Sequence, residues 1–226
     1  MLKHYFFLCN EIKEIDRYNN LTNQIKNYNL TNYSFFTHIW GDEITNDIRN
    51  KWVKSDWTMR HHGRYANIKP LNNGEISLFL NHIECLRKIR NEYNDGYFII
   101  FESDALFYNN FNQKLNYLLE LAKKNDDWDV INIGEGHNDI PKSGPIKDSI
   151  NLYKENIHRC TEGLLWNYNG ICKFLEYFEK ENDIDGPIDT KMDVLSTYVG
   201  NFNIYWVHPP LVCQGSIKNI YKSLLR

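Results

Sequence analysis

The sequence predicts a single α/β domain, spanning residues 1–226, in which a mostly parallel central sheet is flanked by helices. Short apolar runs of strand type alternate along the chain with longer helical segments, as they do in β–α–β units. The run at residues 96–103 is almost continuously apolar, which is typical of a strand buried on both faces of a parallel sheet. We find no internal repeat and no long linker that would separate two domains.

The first part of the chain predicts the order strand, helix, strand. Residues 5–9 (YFFLC) form the first apolar run, and a polar, poorly periodic segment at residues 11–28 predicts a helix. Residues 33–40 (YSFFTHIW) are rich in aromatic and β-branched side chains, which predicts the second strand.

The most regular pattern is a helix at residues 71–93. Its apolar residues recur at the i, i+3, i+4 spacing of one buried face. Asn72 or Asn73 can cap its start, where Glu75 suits the positive end of the helix dipole. The apolar stripe consists of Ile76, Phe79, Leu80, Ile83, Leu86 and Ile89.

The second half of the chain continues the alternation. A helix is predicted at residues 111–124, a strand at 129–134 and a further helix, opened by a proline, at 186–200. A late strand at 202–212 contains two consecutive prolines near its end. The segment at residues 135–156 carries Gly, Pro and charge, and it predicts a long loop that could act as an active-site flap.

Composition narrows the classes of partner and location. The net charge is −3 and the pI is about 6.2, so the chain has no electrostatic footprint for nucleic acid. No run of 18 apolar residues occurs and residues 5–9 are too short for a signal peptide, which predicts a cytoplasmic protein without a transmembrane segment.

The many Asn, Lys, Ile and Tyr residues indicate AT-rich coding DNA, as in low-GC bacteria, some protists or large DNA viruses, so a host cell or virion is an alternative location. Five scattered cysteines without a CxxC pair predict free thiols.

Two carboxylates follow the buried run, in the stretch FESDALF. Residues i and i+2 of a strand project from the same face roughly 6.6 Å apart, so Glu102 and Asp104 would extend together beyond the sheet. With no Lys or Arg next to them in sequence, they repel each other unless a cation or a proton intervenes. Hard oxygen ligands favour Mg²⁺ or Mn²⁺, which retain water and also bind substrate phosphates. The simpler alternative is that Asp104 caps the following turn while Glu102 is solvated.

Six short motifs follow one another along the chain: GEISLFLNH (residues 74–82), ESDA (102–105), DWDVINIG (127–134), CTEGLLWNYNGICKFL (160–175), PID (187–189) and PPLVCQ (209–214). Their order resembles glycosyltransferase family 25, which includes bacterial lipooligosaccharide galactosyltransferases and animal collagen glycosyltransferases. That family has GEIGC followed by SH, a strand ending in EDDA, DWD, GT.AY.I...GA, PID and PPLV.Q. Here Ser103 replaces the middle acid of EDDA, Asn81 replaces the serine before His82, and FLCN (residues 7–10) stands where the family has VINL.

The resemblance implies a GT-A fold, with a half that binds the nucleotide sugar at about residues 1–108 and a half that binds the acceptor at about 109–226. It places Glu102 near the donor ribose and makes Asp104 the better ligand of a Mn²⁺ or Mg²⁺ ion, with Glu102 in the same metal site. The ion would bridge the diphosphate of a UDP-sugar and stabilise the charge on the leaving UDP. Asn10 falls in the segment that contacts the nucleoside.

Glu75 and His82 belong to the first motif, and their spacing of seven residues puts them on one helix face. The resemblance implies that they shape the donor pocket; a structural hydrogen-bonding role is the alternative. His208 is the candidate for a further metal ligand, because a neutral imidazole suits Mn²⁺. His137 is a rival for this role, and a His208 that only meets a backbone partner is the simpler alternative.

An inverting transfer needs a general base for the acceptor hydroxyl. Asp189 matches the family's PID, and Asp193 lies one helical turn later on the same face, where two carboxylates raise each other's pKa. The alternative for Asp189 is an acid that is favoured only by the helix dipole. Glu162 and Glu135 are further candidates for the base.

Two other groups of residues have a structural and a functional interpretation. Trp166 and Trp206 could stack on a sugar, but core packing is the default for buried aromatic side chains. Lys218, Lys222 and Arg226 form a basic tail that could fold over the diphosphate or remain a solvated helix end.

The function implied by the resemblance is transfer of galactose or glucose from a UDP-sugar to a hydroxyl group. Hydroxylysine or galactosyl-hydroxylysine of a collagen-like protein is the first acceptor class, and a lipooligosaccharide or other glycolipid is the alternative. A catalytically silent UDP- or sugar-binding module is a hypothesis from a different class, motivated by the altered acidic motif. A metal-dependent phosphohydrolase is a third, but the sequence lacks the His-rich ligand clusters of a two-metal site.

Overall fold

The computed structural model describes residues 1–54, 71–144 and 149–224. The strands in these ranges are β1 (Leu2–Leu8), β2 (Tyr33–Phe36), β3 (Tyr97–Glu102), β4 (Ala105–Phe107), β5 (Val130–Asn132), β6 (Asn151–Lys154), β7 (Gly163–Asn167), β8 (Ile204–His208) and β9 (Val212–Gln214). The helices are α1 (Ile15–Asn27), α2 (Asn46–Trp52), α3 (Asn73–Glu92), α4 (Phe111–Lys124), α5 (Tyr168–Glu181) and α6 (Ile188–Val194). A 3₁₀ turn covers Gly41–Glu43, and a π-helical turn at Leu195–Val199 extends α6.

The central sheet has seven strands in the order β2-β1-β3-β7-β5-β8-β6. The strands β2, β1, β3, β5 and β8 run in one direction, whereas β7 and β6 run in the other. Strands from the first half of the chain lie side by side at one end of the sheet, and strands from the second half continue it. A separate pair, β4 and β9, joins the chain after the acidic motif to the C-terminal region. The predicted α/β architecture with a mostly parallel sheet flanked by helices is confirmed.

Both faces of β3 are buried, which explains its continuous hydrophobicity. Phe98 and Ile100 pack in a core with residues of α3 and α5, whereas Ile99 and Phe101 pack in a second core with residues of α1 and α4. All four side chains are fully buried. Glu102 continues the face that points towards α3, so the strand delivers a carboxylate to the end of the first core.

Asn72 is the N-cap of α3. Its side-chain oxygen accepts the N–H of Glu75 (3.0 Å), and Glu75 Oε2 accepts the N–H of Asn72 (2.7 Å). This reciprocal capping box satisfies two backbone donors that the helix leaves unpaired. The structure therefore selects Asn72 over Asn73 as the cap and gives Glu75 a structural role.

Strand β2 ends at Phe36, four residues before the predicted end. The buried side chain of Asn81 accepts the N–H of His38 (2.6 Å) and donates to the carbonyl of Ile39 (2.7 Å). These bonds from α3 direct the chain out of the sheet. The aromatic and β-branched run continues past this point, so local sequence cannot reveal where the strand stops.

The prediction of a continuous loop at residues 135–156 is wrong near its end, where β6 forms an edge strand antiparallel to β8. A short edge strand with polar side chains gives little apolar signal. Residues 145–148 of the predicted loop lie outside the described residues. Strand β7 and helix α5 were not predicted either, although Ile171, Phe174, Leu175 and Phe178 recur at helical spacing and Asn167 caps α5 by accepting the N–H of Gly170 (2.6 Å).

Two predictions made from composition concern the cysteines and the possibility of a membrane-spanning helix. All five cysteines are free, and three of them are buried. Among helices of the described residues, none has the length and apolarity needed to cross a bilayer.

Candidate active site

A cleft opens at the carboxyl ends of β2, β1 and β3, the edge at which open α/β sheets bind ligands. The cleft has a first cavity of about 270 Å³ against these strand ends and α1, and a second of about 710 Å³ against α6. The C-terminal segment, residues 214–224, lines both cavities. The two cavities adjoin, as shown by five residues that line both: Leu78, Glu102, Gln214, Ser216 and Ser223.

Glu102 lies where the two cavities meet. Its side chain is buried, and its Oε1 accepts a hydrogen bond from the hydroxyl of Thr161. The same oxygen lies 3.7 Å from Nε2 of His82. The backbone N–H of Glu102 donates to the carbonyl of Glu162 (3.2 Å), at the end of the β3–β7 ladder. The alternative in which Glu102 is simply solvated is therefore wrong.

Asp104 lines the first cavity and is only 3% exposed. Burial, followed by the negative charge of Glu102, raises the pKa of Asp104 above its usual value. The repulsion predicted from the sequence is therefore present. Asp104 Oδ2 accepts the N–H of Ser216 (3.1 Å), and its backbone carbonyl accepts that of Gly215 (2.8 Å). Asp104 thus engages the C-terminal segment instead of only capping the turn that follows it.

The acidic pair fits a hard divalent cation in its donor atoms and charge. Both residues offer carboxylate oxygens at a buried site, and a cation would offset the repulsion that raises the pKa of Asp104. In the described part of the chain, no three His, Cys, Asp or Glu side chains converge to hold an ion. A metal at this pair would therefore complete its coordination with water and substrate oxygens, as Mg²⁺ commonly does.

The two acids of α6 are separated by their partners. Asp189 lines the second cavity, and its Oδ1 accepts the N–H of Thr190 (2.7 Å). Asp193 is buried away from the cavity and accepts the N–H of His158 (2.6 Å), with His158 Nδ1 3.3 Å from the same oxygen. Burial and then the charge of Asp193 raise the pKa of Asp189. The predicted effect of one carboxylate on the other is present, but only Asp189 faces the cleft.

A family model described as glycosyltransferase family 25 (LPS biosynthesis protein) matches residues 4–192. The chain belongs to glycosyltransferase family 25. The match includes the strand ends, the acidic motif and Asp189, and the mixed α/β architecture is compatible with a GT-A-like glycosyltransferase domain. A comparison with curated proteins found no match.

The glycosyltransferase does not place His208 beside the acidic pair. His208 ends β8 and lines neither cavity; its pKa is lowered by burial and by the cations Arg159 and Lys114. Positive neighbours disfavour a metal ion at this imidazole. His137, the predicted rival, is exposed and lines the second cavity together with Glu102. Of the two predicted histidines, His137 is therefore the one that lies at the cleft.

Three residues predicted to bind the donor have local structural contacts. Asn10 Oδ1 accepts two successive N–H groups of the turn before α1 (3.0 and 2.9 Å), so this side chain closes the turn. Glu75 caps α3 and lines the second cavity, not the first. His82 is fully buried, neither of its ring nitrogens has a hydrogen-bond partner among the described residues, and its Nε2 lies 3.7 Å from the cleft residue Glu102.

The alternative bases of this glycosyltransferase lie off the cleft. Glu162 is fully buried, and burial raises its pKa to about 8, so it is mostly protonated at neutral pH. Glu135 accepts a hydrogen bond from the hydroxyl of Tyr108 and pairs with Lys218 (2.9 Å). Burial opposes them, but these two partners lower the pKa of Glu135. Neither acid lines either of the two cavities of the cleft, whereas Asp189 lines the second.

Sequence reasoning missed Arg17 and Thr161. Arg17 is buried and lines the first cavity, although it belongs to a polar segment in which a charged side chain ordinarily faces solvent. Its local signal was the i, i+3 spacing from Glu14, whose Oε1 lies 3.4 Å from Arg17 Nη1. The bond between Thr161 and Glu102 spans 59 positions, so no local pattern announces it.

The basic tail folds over the cleft in its described part. Lys222 lines the second cavity, whereas Lys218 pairs with Glu135. Arg226 lies outside the described residues. Trp166 and Trp206 are buried in the first core, which confirms the interpretation that they pack in the interior.

Proposed function

We propose that the protein transfers galactose or glucose from a UDP-sugar to an acceptor hydroxyl, with Mn²⁺ or Mg²⁺ bound at Glu102 and Asp104. The observation that carries this proposal is the position of Glu102, which lines both cavities of the cleft. A donor in the first cavity and an acceptor in the second would meet beside this carboxylate. The second cavity lies within the range of roughly 300–1,000 Å³ that small-molecule sites occupy, and the first is close to its lower end.

The residues of the chain would divide the work as follows. The hydroxyl of Thr161 orients the carboxylate of Glu102, and Asp104 presents the second carboxylate from the turn after β3. A bound metal would supply Lewis-acid stabilisation of the charge that forms on the departing UDP. Asp189 would take the proton of the acceptor hydroxyl, and its raised pKa improves the match to a general base at neutral pH. A single displacement with Asp189 as base predicts inversion at the sugar carbon.

The acceptor belongs to one of two classes. The association of the family with LPS biosynthesis favours a lipooligosaccharide or another glycolipid. The resemblance to collagen glycosyltransferases favours hydroxylysine or galactosyl-hydroxylysine of a collagen-like protein. Both classes offer a hydroxyl to Asp189 in the second cavity, so they are distinguished by assay.

A silent UDP- or sugar-binding module is the second candidate. Two observations favour it: Ser103 replaces an acid of the family motif, and the N–H of Ser216 already engages Asp104 Oδ2. Such a module would bind UDP tightly and transfer nothing.

The deciding experiment measures UDP release from a panel of UDP-sugars, with and without Mn²⁺, in the presence of hydroxylysine peptides and lipooligosaccharide cores. The variants are wild type, Asp104→Asn and the matched control Asp126→Asn, which changes an exposed carboxylate away from the cleft. Metal-dependent release from one sugar, lost in Asp104→Asn and kept in Asp126→Asn, supports the enzyme. UDP binding without release from any donor supports the silent module. No binding of UDP in the presence of Mn²⁺ contradicts both.

A further inference from the structure

Arg17 is a buried cation beside the acidic motif. It is 8% exposed and lines the first cavity. Its Nη1 donates to Ser103 Oγ (2.8 Å) and lies 3.4 Å from Glu14 Oε1, while its Nη2 donates to the carbonyl of Lys222 (2.6 Å). The guanidinium carbon lies 5.4 Å from the ring centroid of Tyr221. One side chain therefore joins the start of α1, the acidic motif and the C-terminal segment.

Ser103 links the guanidinium of Arg17 to a buried carboxylate through two hydrogen bonds. Its oxygen accepts from Arg17 Nη1, and its hydroxyl proton is donated to Glu14 Oε1. Since a guanidinium only donates and a carboxylate only accepts, the direction runs from Arg17 through Ser103 to Glu14. Glu14 is 6% exposed, and its other oxygen accepts the N–H of Asn10 (2.8 Å). A charged group this deeply buried needs such partners to offset its lost hydration.

We propose that Glu14 supplies, from the start of the first helix, the carboxylate that the acidic motif lacks at Ser103, and that Glu14 and Arg17 are positioning residues of the donor site. The inference rests on the proposed function. Glu14 holds the guanidinium through Ser103, and the guanidinium in turn holds the C-terminal segment over Asp104. We name Glu14, Ser103 and Arg17 the brace.

The β4–β9 pair ties the first residue of the C-terminal segment, Gln214, to Ala105 of the acidic motif, and beyond it the segment is held at Asp104. Gly215 and Ser216 donate to Asp104, and a Cβ atom at Gly215 would lie 2.6 Å from Tyr221 Cδ2. Only a glycine lets the Tyr221 ring pack this closely on the backbone while the same ring covers Arg17. Loss of the guanidinium would therefore loosen the segment that forms one wall of both cavities.

Relocation of the charge tests the brace. The affinity for UDP in the presence of Mn²⁺ is measured by calorimetry for Glu14→Gln, Ser103→Asp and the double variant. Glu14→Gln removes the charge-assisted partner and should weaken UDP binding by about tenfold or more. Ser103→Asp alone puts two carboxylates in one buried site and should also weaken binding. The double variant has one carboxylate facing Arg17 again and should return to within about threefold of wild type.

Two controls separate the brace from general destabilisation. Glu11→Gln neutralises an exposed carboxylate of the preceding turn and should leave UDP affinity and melting temperature unchanged. Hydrogen exchange over residues 214–224 provides a readout that needs no ligand. Exchange there should be faster in Arg17→Met than in wild type, and intermediate in Arg17→Lys, which keeps the charge but not the planar fork.

The outcomes are distinct. Wild-type UDP affinity in Glu14→Gln, or losses that simply add in the double variant, overturns the proposal. A wild-type protein that binds no UDP contradicts the proposed function instead, and hydrogen exchange then decides the brace. Equal exchange over residues 214–224 in Arg17→Met and wild type overturns it.

Discussion

The pairs Glu102–Asp104 and Asp189–Asp193 have different fates in the fold, although sequence spacing places the members of each on one face. Glu102 and Asp104 both reach the cleft, because β3 ends there and the C-terminal segment closes on Asp104. Asp189 also reaches the cleft, but Asp193 is held by His158. Both pairs thus have the same charge and a regular spacing, but their outcomes differ. In the first pair both carboxylates lie at the cleft, whereas in the second pair one lies at the cleft and the other has a structural role. The partners decide the role of each carboxylate.

Replacement of Asp104 is the strongest test of the first pair. We expect Asp104→Asn to lower the rate of UDP release by about 10³-fold, since metal stabilisation of a leaving group contributes several kcal/mol. Because burial and Glu102 raise the pKa of Asp104, a neutral side chain should leave the melting temperature unchanged or higher. Release assays and thermal melting measure the two effects. Full activity in Asp104→Asn would falsify the assignment of the site.

Replacement of each acid of α6 by alanine tests whether Asp189 and Asp193 have the different roles that their positions indicate. Asp189→Ala should lower transfer to the acceptor by about 10²–10⁴-fold, the range of a general base, while UDP affinity stays unchanged. Asp193→Ala leaves a buried N–H without its acceptor and should lower the free energy of unfolding by about 1–3 kcal/mol. Kinetics with saturating donor and urea denaturation separate the two effects. The reverse distribution, with the larger kinetic loss at Asp193, would contradict the division of roles.

Glu162 extends the comparison to an acid that has no face on the cleft. Its pKa is raised by burial from 4.5 to about 8, so the unfolded chain loses this proton first as the pH rises. The stability that the protonated group contributes is fully present below about pH 4.5 and is lost progressively up to about pH 8, a change on the order of a few kcal/mol. Glu162→Gln should flatten this dependence in urea denaturation at pH 5 and pH 8. The same pH slope in Glu162→Gln and wild type would show that the carboxyl is already ionised in the folded state.

The smallest expected effect concerns the histidines. His208→Ala should change the Mn²⁺ concentration that gives half-maximal UDP release by no more than about twofold, as for substitutions away from a site. His137→Ala should change it more, because His137 lines the second cavity with Glu102. A titration of activity with Mn²⁺ measures both variants. A large shift in His208→Ala alone would restore His208 as the metal-binding histidine.

Local sequence was sufficient to predict features that depend only on the residues within one strand or helix. The two-sided burial of β3 follows from its continuous apolar run, and the periodic stripe of α3 identifies its buried face. The carboxylates after β3 are likewise local, because the end of a parallel strand lies at the ligand-binding edge of the sheet. The order of six motifs indicated the family, which the family match then showed.

Sequence by itself determined the fold class, the family and the acidic pair. Only the tertiary structure decided that β2 stops at Phe36, that Asp193 turns to His158 and that Arg17 is buried against Ser103, 86 positions away in the chain. The physical reason is the range of the interactions. Periodicity and capping act within a few residues, whereas each of these outcomes depends on a hydrogen bond between segments that only folding brings together.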